Sequence, residues 1–171
     1  MKKANVKHQS GLSLIELMVS ITIMAVIVSA AVPAMQSLMS RKSQERADKL
    51  FERSIKLARS AARSRGAGNT ITVTPNGSGF DWSQGWQIAS TDAANVVEII
   101  YRTDTLVGSP TFTSNTFSRD NPLRIQNTGQ ATRTGTFNLY YPSCLGTQQI
   151  QYTLLISSTL DKQAIICPVT Q

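Results

Sequence analysis

The feature that most constrains this chain is an uncharged apolar segment near its N-terminus. Residues 17–35 read LMVSITIMAVIVSAAVPAM, 19 residues without an ionisable side chain. Basic residues flank this segment on both sides: Lys2, Lys3, Lys7, Arg41 and Lys42. A helix of that length covers close to the roughly 30 Å hydrocarbon core of a bilayer. Because a core helix of a soluble protein is seldom apolar on every face for so long, the sequence predicts a membrane helix over residues 12–40.

A cleaved secretory signal peptide shares this plan of a positive start and an apolar run. Two features argue against it. The run is longer than the usual apolar region of about 7 to 15 residues, and no small-x-small cleavage site follows it cleanly. The nearest candidate, Ser29-Ala30-Ala31, lies before the run has ended.

The net charge of +7 is concentrated in the N-terminal third of the chain. Residues 1–11 carry three lysines and no acid, and residues 41–65 carry nine bases against three acids. Residues 66–171 carry five bases and six acids. This asymmetry is typical of a membrane-oriented segment or a basic arm. A disordered basic tail is excluded, because only 16% of the residues are charged and 41% are hydrophobic.

Residues 41–66 are predicted to form the amphipathic half of the same helix, ending at Gly66 and Gly68. Apolar residues recur at helical spacing: Ala47, Leu50, Phe51, Ile55, Ala58, Ala61 and Ala62. Bases line the opposite face: Arg46, Lys49, Arg53, Lys56 and Arg63. This face either binds phosphates of nucleic acid or anionic lipid, or is simply solvated. Because no aromatic residues interleave with the bases, we favour the solvated interpretation.

Residues 67–171 are predicted to form a globular antiparallel β domain. Short β-branched or aromatic runs separated by turn signals indicate strands over residues 70–74, 86–91, 96–102, 123–126, 136–141, 149–156 and 163–167. The amphipathic half of the helix is needed to cover one face of this domain. The fold class expected is therefore α+β.

A short motif stands where the basic leader meets the apolar segment. Four residues, Leu-Ser-Leu-Ile, separate Gly11 from Glu16. This motif resembles the cleavage and methylation signature of type IV prepilins and of the related pseudopilins of type II secretion. The resemblance implies that prepilin peptidase cleaves between Gly11 and Leu12, removing leader 1–11, and that the new amine of Leu12 is methylated. The usual first mature residue of the family is Phe, so Leu12 is a departure from its pattern.

Glu16 matches the family glutamate, and Pro33 matches its helix-kinking proline. A carboxylate at the edge of a membrane helix is costly when unpaired. Pairing with the cationic N-terminus of a neighbouring subunit would offset that cost and set the register of assembly. Pro33 removes a backbone donor and clashes with the preceding turn, so a kink is expected there.

Two further segments are similar to the FimT/GspH branch of this family. One is LARSAARSRG over residues 57–66, and the other is Trp82-Ser83-Gln84-Gly85-Trp86. We expect Trp82 and Trp86 to pack in the core and Gly85 to permit the turn between them. The resemblance implies a pilin-like fold, in which a long N-terminal helix packs on an antiparallel β-sheet head.

Catalysis, metals and cofactors are not expected. The single histidine, His8, lies in the leader, and the carboxylates of the head show no paired spacing for acid–base chemistry. There is no CxxC motif. In an exported domain, Cys144 and Cys167 are expected to form a disulfide worth about 3 kcal/mol, with two free thiols as the alternative.

The resemblance implies a minor pilin, a structural subunit that helps initiate or cap a type IV pilus. Its expected partners are other pilins or pseudopilins through the N-terminal helix, prepilin peptidase, the inner-membrane assembly platform and, before assembly, membrane lipid. The expected location is the bacterial inner membrane as a single-pass protein with a periplasmic head, and then the pilus or a periplasmic pseudopilus. One alternative is a minor pseudopilin of type II secretion.

A second alternative is a DNA-binding minor pilin for DNA uptake. Some FimT members use a Gly-Arg-x-Arg stretch between their last strands. Residues 158–162 here read STLDK, with one base and one acid. That departure argues against DNA as a partner, because phosphate affinity scales with the number of cations presented.

Overall fold

The computed structural model describes residues 13–142 and 149–166, except the side chains of residues 30, 33, 34 and 37. The chain forms two compact units, Met1–Met39 and Ser40–Gln171. One helix, α1, runs over Leu14–Arg65 and contributes to both. It begins after Ser13, whose carbonyl oxygen accepts the backbone N–H groups of Glu16 (3.0 Å) and Leu17 (3.2 Å). It ends at the predicted glycine, Gly66, which has a φ of +72°.

In the first unit, α1 is exposed along its whole described length. Every described side chain over residues 14–39 is exposed, and most of them are apolar. Among the described residues, no helix combines the length and the apolar character needed to cross a membrane. The membrane segment over residues 12–40 stays a prediction.

The second unit contains two antiparallel four-stranded sheets. The strands are β1 (Thr70–Pro75), β2 (Trp86–Thr91), β3 (Val97–Arg102), β4 (Thr111–Ser114), β5 (Leu123–Ile125), β6 (Gly135–Tyr140), β7 (Gln149–Leu154) and β8 (Leu160–Ile165). One sheet has the order β3-β2-β1-β5 and the other β4-β6-β7-β8. The expected α+β class with an antiparallel head is confirmed.

The largest differences between the sheets and the sequence prediction concern β4 and β8. Strand β4 was not predicted, because it has four residues and a single large apolar side chain, Phe112, after Pro110. Strand β8 begins at Leu160, three residues earlier than predicted, and ends at Ile165. It is an edge strand whose central side chains are exposed, so it lacks the apolar alternation on which strand prediction depends.

The second half of α1 and both sheets share one aromatic core centred on Phe51. The Phe51 ring lies 5.4 Å from that of Trp86 in β2, 4.8 Å from that of Phe137 in β6 and 5.3 Å from that of Tyr152 in β7. Helical spacing places Ala47, Ile55, Ala58 and Ala62 on the same buried face: all are below 5% exposed. The apolar stripe predicted for this half of the helix therefore forms the centre of the head.

Candidate functional site

Several residues for which the sequence predicts a role lie outside the described part of the structure. Gly11 and Leu12, the predicted cleavage and methylation positions, lie outside the described residues. Cys144 and Cys167, the predicted disulfide, also lie outside them. Position 33 lies within α1, whose helical backbone continues through it, and the kink expected at Pro33 stays a prediction.

Glu16 lies in the first turn of α1 and is exposed. Its backbone carbonyl accepts the hydroxyl of Ser20 at 2.7 Å. A carboxylate in a first turn interacts favourably with the positive end of the helix dipole. Within the described part of the chain, no base lies within 4.0 Å of the Glu16 carboxylate, and its role in subunit assembly stays a prediction.

The motif residues Trp82, Gly85 and Trp86 lie together in the head. Both tryptophans are fully buried, and the indole N–H of Trp82 donates to the carbonyl of Phe117 at 3.0 Å. Gly85 has a φ of +83°, and a Cβ added there would lie 2.5 Å from the Asp104 carbonyl oxygen. These three residues build the core and the turn beside it.

Several bases on the exposed face of α1 are engaged within the subunit. Glu45 accepts Lys49 at 2.7 Å and Lys42 at 3.4 Å, and these hydrogen bonds hold the pKa of Glu45 below its usual value. Arg65 binds Glu98 at 2.5 Å, which lowers the pKa of that carboxyl and raises that of the guanidinium. These ion pairs reduce the number of cations free to bind phosphates.

Asp48 is a buried carboxylate that the sequence reasoning missed. It is 7% exposed, accepts the hydroxyl of Tyr152 at 2.7 Å and binds the ammonium of Lys162. Burial raises the pKa of Tyr152, and the hydrogen bond to Asp48 raises it further. Asp48 stands three residues before Phe51, and that spacing could have placed it on the buried face.

A groove of about 420 Å³ lies between α1 and the loop that follows β3. Its apolar lining includes Leu50, Leu106 and Val107, and its cationic lining includes Arg46 and Arg53. The Tyr141 hydroxyl donates to the Val107 carbonyl at 3.1 Å at one end. The lining of the groove is thus part apolar and part cationic.

No metal centre is formed by the side chains that the structure describes. Among them, no group of three or more histidine, cysteine, aspartate or glutamate residues comes close enough to hold an ion. The most distinctive functional features of the described chain are therefore its exposed apolar helix and Glu16 at the start of that helix.

Comparisons with known proteins agree with these features. Residues 49–159 match the family model described as type II transport protein GspH, and residues 6–32 match the prokaryotic N-terminal methylation motif. The structure is similar to the crystal structure of the type IV minor pilin FimU from Pseudomonas aeruginosa strain PAO1. That match has a TM-score of 0.59 and 15% identity, and covers 74% of this chain and 92% of that chain. No curated protein matches significantly.

Proposed function

This chain belongs to the GspH family of type IV pilin-like proteins, and from that premise we propose that it is a minor pilin. In this role it is anchored in the inner membrane, processed by prepilin peptidase, and incorporated into a type IV pilus to initiate or cap the filament. The observation that carries the proposal is the match to the methylation motif over residues 6–32. The described part of that region is an exposed apolar helix with Glu16 in its first turn.

The apolar segment of α1 is suited to lipid and then to partner helices. Its hydroxyl groups donate back to its own carbonyls: Ser20 to Glu16, Thr22 to Met18 and Val19, and Ser29 to Val26. A donor satisfied within its own helix needs no water. This supports a membrane anchor before assembly and helix packing in the filament afterwards. Both the periplasmic orientation of the head and contact with the assembly platform belong to the proposal.

Processing is tested by the mass of the chain. In cells that express prepilin peptidase, the isolated chain is expected to lack residues 1–11 and to carry one methyl group on Leu12. Replacing Gly11 by a bulkier residue should block cleavage, so that the mass stays larger by the eleven leader residues. A chain that keeps its leader beside active peptidase would contradict the assignment.

The structural role is tested by filament recovery. Deleting the gene should reduce the number of surface pili, and the mature chain should be recovered from filaments sheared off the cell. Retention of the chain at the inner membrane with unchanged piliation would count against the role. No catalytic role is proposed, because the mature chain would contain no histidine and a pilin acts by assembly.

The second candidate is a minor pseudopilin of a type II secretion system. The family description, type II transport protein GspH, favours it, while the fold comparison is with a type IV minor pilin. At 15% identity that likeness shows the fold alone. The same deletion strain separates the two: loss of an exported protein from the medium with normal piliation would select the pseudopilin.

A role in DNA uptake is less well supported than either of these roles, because of the charges near the last strands. The base of the STLDK stretch, Lys162, binds the buried Asp48 and so is not free for a phosphate. Binding of the full chain to duplex DNA across a salt series tests this point. Micromolar affinity that falls steeply with rising salt concentration would favour the DNA-binding alternative.

A further inference from the structure

A second cleft lies between α1 and the turn that joins β7 to β8. Its volume is about 220 Å³. The helix contributes Glu52, Ile55, Lys56 and Arg59, and the turn and the start of β8 contribute Ser158, Thr159 and Leu160. Arg59 belongs to the LARSAARSRG segment and residues 158–160 belong to the STLDK stretch, but the apolar helix segment and the groove described above do not include this cleft.

Unpartnered polar atoms concentrate in this cleft. In the part of the chain that the structure describes, three buried side-chain nitrogen or oxygen atoms lack a hydrogen-bond partner: Arg59 Nε, Trp86 Nε1 and Ser158 Oγ. Two of the three belong to residues that line the cleft. Ser158 is only 3% exposed, so its hydroxyl is withdrawn from bulk solvent. Because burying a polar group without a partner is costly, these donors indicate a ligand that accepts hydrogen bonds.

The turn holds Ser158 in a fixed position. Its backbone N–H donates to the Leu155 carbonyl at 2.9 Å, and the Leu155 N–H donates to the Thr159 carbonyl at 3.0 Å. Ser158 has a φ of +56°, in the left-handed region. Residues other than glycine are uncommon there. The hydroxyl is therefore presented by a closed turn against a rigid helix.

The charges lining the cleft identify the kind of acceptor. Lys56 and Arg59 supply two positive charges and Glu52 supplies one negative charge, which leaves a single excess positive charge. One monoanion balances that excess, whereas a chain of phosphates would face the Glu52 carboxylate. A guanidinium matches the planar fork of a carboxylate, and a hydroxyl can donate a further hydrogen bond to it.

We propose that this cleft binds a single carboxylate group, held by Arg59 and Ser158 with Lys56 beside it. The carboxylate belongs either to a small organic acid or to an acidic side chain of another polypeptide. The site is independent of the assembly function proposed above, because it rests on the head alone.

The proposal is tested by titrating the full chain in neutral detergent with acetate. A parallel titration uses a blocked peptide carrying one glutamate, and chloride keeps the ionic strength constant. Saturable NMR shifts of the Arg59 side-chain N–H and of the Ser158 and Thr159 amides are expected. Tighter binding of the peptide indicates a protein source for the carboxylate, and equal binding indicates a small acid. Either result supports the site.

Three variants make the test specific. Arg59→Gln and Ser158→Gly should each weaken acetate binding about tenfold or more, as expected for losing a hydrogen bond to a charged group. Glycine also relieves the positive φ, so the second variant should fold at least as well as the original chain. Arg53→Gln removes a charge from the same helix outside this cleft and should leave binding unchanged.

Several outcomes would overturn the proposal. One is the absence of a saturable response to acetate and the peptide, which would leave water as the partner of the buried donors. Another is that Arg59→Gln binds acetate as tightly as the original chain does. A tighter response to duplex DNA or to inorganic phosphate than to the carboxylates would assign the cleft to phosphates instead.

Discussion

Gly85 shows how strongly one position is determined by its surroundings. The sequence predicts a tight turn between Trp82 and Trp86, and the structure gives Gly85 a positive φ of +83°. The sequence could not reveal that the carbonyls of Thr103 and Asp104 would lie 2.6 and 2.5 Å from an added Cβ. That approach depends on a strand pairing distant in the chain, which a local motif does not encode.

Replacing Gly85 by alanine should therefore destabilise the head. The left-handed backbone costs an L-residue about 1 to 2 kcal/mol, and relieving the carbonyl contacts requires the turn to move. We expect a loss of at least about 2 kcal/mol in the free energy of unfolding. Gly66→Ala is the matched control, because Gly66 also has a positive φ but an added Cβ meets nothing within 4 Å. Equal losses in denaturant titrations would contradict the steric argument.

The prediction about filament assembly concerns the carboxylate of Glu16. Glu16→Ala should still be cleaved and methylated, but its recovery in sheared filaments should fall about tenfold or more, as expected for losing a charge pair in a low-dielectric contact. Quantitative mass spectrometry of the membrane and filament fractions measures the ratio. Glu45→Ala, which removes an exposed acid from the second half of α1, should assemble normally. Unchanged recovery of Glu16→Ala would remove the carboxylate from this role.

At the scale of elements, α1 is attached to the β7–β8 hairpin by a polar contact beside the aromatic core. Asp48 from the helix binds Tyr152 of β7 and Lys162 of β8. The apolar spacing of the helix does not indicate this contact, because Asp48 is not one of the apolar residues that define the buried stripe. A partner 114 residues away in sequence cannot be read from local periodicity.

The two ends of this contact should respond unequally to substitution. Lys162→Met leaves the buried Asp48 carboxylate with only the Tyr152 hydroxyl, and an incompletely paired buried carboxylate costs about 2 kcal/mol. Asp48→Asn should cost less, about 1 kcal/mol, because Lys162 is 41% exposed and reaches water while the amide oxygen still accepts Tyr152.

Denaturant titrations of the two variants and of the double variant measure this asymmetry. The double variant should lie closer to Asp48→Asn than to the sum of the two losses, because the residues share one contact. An additive double variant would show that Asp48 and Lys162 stabilise the head independently.

For the whole molecule, local patterns predict the class of the fold better than its sheet arrangement. The helix end and most of the strands follow from periodicity and turn residues. The division into two sheets does not, because β4 lies between β3 and β5 in sequence but pairs with β6 in the other sheet. Strand β5 then returns to pair with β1. Such switches are decided by long-range pairing and by the shared aromatic core around Phe51.

That shared core also determines how the whole head responds to alkaline pH. Burial raises the pKa of Tyr141 to about 12 and also raises the pKa of Tyr152. A folded-state pKa above the unfolded value of 10.0 contributes stability that is complete below pH 10 and is lost as pH rises through the folded-state value. We expect the free energy of unfolding to fall above pH 10 by up to about 1.4 kcal/mol per pH unit for each of these tyrosines.

Tyr141→Phe separates this linkage from general alkaline damage. The variant loses the hydrogen bond to Val107, about 1 kcal/mol, at every pH below 10. Between pH 10 and 12 its decline should be shallower than that of the original chain by up to about 1.4 kcal/mol per pH unit, because one buried phenol no longer ionises. Denaturant titrations at pH 8 to 11.5 give both slopes. Parallel slopes would mean that Tyr141 ionises as readily in the folded head as in the unfolded chain, and that its burial beside the groove does not persist in solution.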